Sequence, residues 1–104
     1  MTKTLQPVEL IYTDHFRRRF KERFSWRSLK DIPAIIENSK PPSKKCIRKL
    51  SQKGRFVNEP ITKDSFWLIN PFEKMLFLVA TNQRNEVMLI TIINLIGYNH
   101  AIDS

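Results

Sequence analysis

The chain has 104 residues, 41% of them hydrophobic and 11% aromatic, and 18 Lys and Arg against 10 Asp and Glu give a net charge of +8. That is the length of one domain, with apolar side chains enough for a core and too many for a disordered segment. A single cysteine, Cys46, excludes an intrachain disulfide framework, and the surplus of cations points to an anionic partner: nucleic acid, an acidic protein or a membrane surface.

Residues 1–8 read as a loose lead-in without the apolar core of a signal peptide, so the cytoplasm is the expected location. Glu9 to Tyr12 reads as a short strand. Thr13 or Asp14 then offers an N-cap oxygen, and Asp14 places negative charge at the positive end of the helix that runs from about His15 to Phe24. Phe16, Phe20 and Phe24 form one row on that helix, while His15, Arg19 and Arg23 form another about 100° away. Asp31 is the expected N-cap of a second helix with Pro33 in its first turn, stopped near Asn38 and Ser39 by Pro41-Pro42.

Beyond Pro42 the alternation Cys46, Arg48, Leu50 against Lys45, Ile47, Lys49 predicts a strand over 44–50, followed by a turn and a short return over 55–58. Ser65 to Asn70, Met75 to Thr81 and Val87 to Leu95 predict three more strands, the last two central because their apolar runs are nearly unbroken. The longest such run, Val87 to Gly97, is interrupted by Thr91 and Asn94 and is shorter than the roughly 20 residues a membrane helix needs, so no membrane partner is expected. The expected fold is α+β: two N-terminal helices packed on one face of a four- to five-stranded antiparallel sheet, in a single domain over 1–104 with a tail from Gly97.

His15, His100 and Cys46 have no partners at metal-ligand spacing, and with only Gly54 and Gly97 there is no phosphate-binding glycine loop, so neither metal nor cofactor is expected. Cys46 reads as a small strand residue rather than a nucleophile. Basic residues crowd the first helix (Arg17, Arg18, Arg19, Lys21, Arg23) and the predicted first strand with its turn (Lys44, Lys45, Arg48, Lys49, Arg55). If the two segments are neighbours, they make one electropositive face for phosphates. A titratable imidazole beside two permanent cations suits chemistry on an anionic ester such as an RNA phosphodiester, although the same spacing also describes an ordinary helix whose Arg and His side chains lie at the core boundary.

Thr13-Asp14-His15 with Arg19 and Arg23 resembles the Ser/Thr-x-His-x3-Arg-x3-Arg opening of a family of small bacterial and phage domains. Ile35-Ile36-Glu37-Asn38 resembles the end of that family's second helix, and Thr91 in Leu-Ile-Thr-Ile-Ile resembles its last strand. Phe24 replaces a common glycine, and the connector between the helices is longer. That family looks like a member of the superfamily uniting barnase, EndoU, the tRNase colicins and RelE-type toxins. The resemblance implies a metal-independent endoribonuclease, a toxin or phage effector, cleaving RNA through its 2′-hydroxyl. His15 would be the acid or base, Arg19 and Arg23 the oxyanion clamps, and Thr91 a group that orients phosphate or ribose. Lys45, Arg48 and Arg55 are the expected substrate contacts, and Tyr98 or His100 could supply a second proton-transfer group. An acidic antitoxin or host protein is the other expected partner. The alternative is a non-catalytic basic module that grips nucleic acid or an acidic host protein, with Phe66, Trp67 or Phe72 stacking on bases or filling a partner pocket.

Overall fold

The computed structural model describes residues 9–52 and 64–97. Strand β1 (Leu10–Tyr12) leads into helix α1 (Asp14–Arg23), then come a single 3-10 turn (Leu29–Asp31), helix α2 (Ile32–Glu37), helix α3 (Lys44–Gln52) and strands β2 (Ser65–Asn70), β3 (Met75–Thr81) and β4 (Val87–Asn94). The expected α+β class holds, with two departures in architecture. The sheet is mixed, in the order β1-β4-β3-β2: β2, β3 and β4 form the antiparallel meander, while β1 adds to β4 in parallel. There is also a third helix.

Thr13 explains how the chain turns from strand to helix. Its hydroxyl accepts from the Phe16 amide (3.1 Å) as the N-cap, and donates to the Leu89 carbonyl of β4 (2.7 Å). One side chain thus starts α1 and ties it to the sheet. Thr13→Ala is expected to cost about 1–2 kcal/mol of stability, read as a lower midpoint in a denaturant titration with unchanged slope.

The Phe row packs as the sequence pattern requires. Phe16, Phe20 and Phe24 are buried with Ile32 and Ile35 of α2 against Met75, Phe77, Val79, Leu89 and Ile92 on one sheet face. The expected cap Asp31 makes no side-chain bond to α2. Instead Ser28 caps the preceding 3-10 turn through the Lys30 amide (3.1 Å), and Asp31 pairs with Arg27 (3.4 Å). Helix α2 ends on Asn38 and Ser39, whose side chains donate back to Ala34 and Ile35 carbonyls at 2.9 and 2.7 Å.

Residues 44–52 form a helix, not the expected strand. Ser43 caps it by accepting from the Cys46 amide (3.0 Å), directly after two prolines that cannot themselves supply amides. The i, i+4 pair Cys46 and Leu50 is buried against Ile69, Leu76 and Leu95, with Trp67 and Ile93 at the margin. Leu76 alternates with Met75 and Phe77, so α3 covers the opposite sheet face from α1 and α2. Met75 to Val79 are buried at every position because helices lie on both sides of β3.

Candidate functional site

The His15–Arg19–Arg23 row lies on α1 where the helix runs along β4. Strand β1 pairs only with Val87, Met88 and Leu89, so on that side the stretch of β4 from Ile90 to Asn94 has no strand neighbour among the described residues. Arg23 reaches into this stretch and donates to the Ile92 carbonyl (2.6 Å), and Asn94 returns the contact by donating to the Arg23 carbonyl at the end of α1 (3.2 Å). Arg23 therefore closes the sheet edge that β1 leaves uncovered.

Arg19, one turn earlier and half-buried, is paired with Glu22 (2.8 Å). Arg17 donates to the Tyr12 carbonyl and lies 5.6 Å from the Tyr12 ring centre, which fastens the far side of the helix to β1. His15, in the first helical turn, is exposed and makes no hydrogen bond or ion pair with any described residue. Partial burial holds its pKa below the usual 6.5, the charges of Arg19, Arg18 and Arg23 lower it further, and Glu22 opposes them weakly. The positive end of the helix dipole acts in the same direction as the arginines. The side chain is an imidazole set among cations that disfavour its charged form.

The other sequence-predicted residues lie elsewhere. Thr91 pairs with Leu78 across a bulge in which Ile90 is the extra residue, and alternates with the buried Ile92. Its side chain thus belongs to the α3 face of the sheet, across the sheet from α1. Lys45 and Arg48 are exposed on α3, again on that far side. The two basic clusters do not merge into one face, because the segment expected to be a neighbouring strand is a helix across the sheet. Arg55, Tyr98 and His100 lie outside the described residues.

Cys46 is buried, and burial pushes its thiol up from the usual value despite the nearby Lys49 charge. A cleft of about 220 Å³ opens beside it between Pro42, Ile69 and Pro71. A protonated thiol at its wall is a poor nucleophile. Among the described residues no three His, Cys, Asp or Glu side chains gather where they could hold a metal ion, and no helix is long and apolar enough to cross a membrane.

Sequence reasoning missed the residues that set the far end of α1. Asn70 is buried, accepts from the Phe72 and Glu73 amides (3.1 Å each) and donates to the Ile35 carbonyl (3.1 Å). Glu73 then pairs with Arg27 beyond α1. Asn70-Pro71 carried a local signal, an Asx side chain opening a turn, but its long-range bond to α2 had none. No family model matches the chain, and neither a curated protein nor a solved structure matches it.

Proposed function

We propose that the chain is a metal-independent endoribonuclease whose reacting group is His15. The observation that carries this reading is an exposed imidazole, bonded to no described residue, in one helical row with Arg19 and Arg23; partial burial and the charges of Arg19, Arg18 and Arg23 hold its pKa below the usual value. It is not among the core residues that anchor α1, and its lowered pKa favours the basic form. In the reaction His15 takes the proton of an RNA 2′-hydroxyl as that oxygen bonds to the adjacent phosphorus. The bond from phosphorus to the 5′-oxygen breaks, and the leaving oxygen takes a proton from water, which reaches this exposed face. Arg19 stabilises the phosphorane oxygens after exchanging Glu22 for phosphate. Arg23 is a positioning residue that fixes the helix on β4.

The test is RNA incubated in EDTA with wild type and with Arg19→Ala. Wild type is expected to cut, and the variant to cut about ten- to a hundredfold more slowly. Uncut RNA with wild type, or equal rates, would sink this assignment.

A second reading, a basic binding module, is favoured by one observation: Thr91, Lys45 and Arg48 lie across the sheet from His15. It leaves RNA intact and retains it in a salt-sensitive way. An acidic protein is the other partner that the net charge of +8 suits.

A further inference from the structure

Three of the four most exposed large apolar side chains among the described residues sit at one end of the molecule: Trp26 (63% exposed), Phe72 (92%) and Ile96 (57%). Each belongs to a different loop, and the loops are bonded together. Arg27, next to Trp26, pairs with Glu73, next to Phe72. The Leu95 amide, next to Ile96, donates to the Lys74 carbonyl of the same turn (2.8 Å), and Asn94 holds the end of α1. The Trp26 ring is braced by the buried Phe24 at 5.5 Å, so it stands on the core while most of its surface meets solvent. Scattered exposed apolar residues are ordinary, but three on linked loops mark a surface that something covers.

Charge selects the occupant. Two carboxylates on these loops among the described residues, Asp31 and Glu73, are both engaged by Arg27, and Lys30 and Lys74 lie on the same two loops. Aromatic faces beside cations, in a chain of net charge +8, fit nucleobases on a phosphate backbone. A duplex keeps its base faces stacked inside, so only a single strand offers them. We infer that Trp26 and Phe72 are a stacking platform for bases of single-stranded RNA. The platform lies beyond the C-terminal end of α1, which is roughly 12 Å along the helix from His15 by helix rise. The choice of RNA rests on the ribonuclease reading, whereas the stacking surface rests on its own residues.

The test uses a labelled 2′-O-methyl oligonucleotide, which lacks the attacking hydroxyl and survives the measurement, and reads affinity by anisotropy together with quenching of tryptophan fluorescence. Phe72→Ala and Trp26→Ala are each expected to weaken binding about five- to a hundredfold with little change in salt dependence, and Trp26→Phe to recover most of the loss. Phe72 is almost wholly exposed, so its variant keeps the wild-type melting curve as a control for folding. Affinities within twofold of wild type overturn the inference. So does equal affinity for a duplex of the same sequence, or sedimentation showing that wild type self-associates and the alanine variants do not. Cleavage of ordinary RNA separates the two proposals. Weakened binding by the variants with no cleavage by wild type retains the platform and removes the ribonuclease. Cleavage by wild type with unchanged binding by the variants does the reverse.

Discussion

Replacing His15 with alanine is expected to lower RNA cleavage about 10²–10⁴-fold while leaving the melting curve within a few degrees of wild type. The two halves of this result come from one observation. The imidazole is exposed and bonded to no described residue, so the fold loses little with it. The proposed reaction loses its base. The pH profile gives an independent reading. His15 works as a base only when uncharged, and partial burial followed by Arg19, Arg18 and Arg23 holds its pKa below 6.5. The rate should therefore fall as pH drops through that depressed value, and be level above it until other groups titrate. Arg19→Gln removes the largest of the charges acting on His15 and should move the acid limb toward higher pH. The same shift has a sign for stability. The unfolded chain takes up the proton at a higher pH than the folded one, so any contribution from His15 is present above pH 6.5 and declines as pH falls through the folded value. A limb that does not move with Arg19, or a His15→Ala rate equal to wild type, assigns the chemistry elsewhere.

Phe16→Ala is expected to destabilise the fold by about 3–5 kcal/mol, enough to consume much of the stability of a domain this size. Phe16 has no exposed surface and meets the rings of Tyr12, Phe20 and Phe77 at centroid distances of 6.0, 6.2 and 6.3 Å. It joins β1, α1 and β3 at the point where α1 crosses onto the sheet. Truncation there leaves a cavity among side chains fixed by three different elements, which limits collapse around it. Denaturant titration checks this directly: the midpoint falls and the slope stays. A loss below about 1 kcal/mol would mean that the Phe row does not anchor α1.

Helix α1 was legible because its signals agree. Thr13 caps, Asp14 follows, and Phe16, Phe20 and Phe24 repeat at the helical spacing. The boundaries of β3 were legible for a similar reason, with polar punctuation on both sides of an apolar run. Residues 44–50 are ambiguous because Cys46 and Leu50 share a face at both the strand and the helix period; Ile47, which only a helix puts beside them, and the cap Ser43 after two prolines are the signals for the helix. The continuous burial of Met75 to Val79 was the better clue, since a strand buried on both faces needs a cover on each. The parallel pairing of β1 with β4 joins residues 77 apart in the sequence, Leu10 with Val87, and no local pattern encodes it. For the site, spacing placed His15, Arg19 and Arg23 on one helix row. Spacing says nothing about sheet faces, so Thr91, Lys45 and Arg48 were grouped with residues that the bulge and α3 set across the sheet.

The ribonuclease reading meets its most direct test in the ends of the products. Wild-type protein incubated with a defined single-stranded RNA in EDTA should yield fragments ending in a 2′,3′-cyclic phosphate, identified by mass, while the same strand fully 2′-O-methylated should remain whole. Intact RNA, fragments lacking that end, or cleavage of the methylated strand would contradict it.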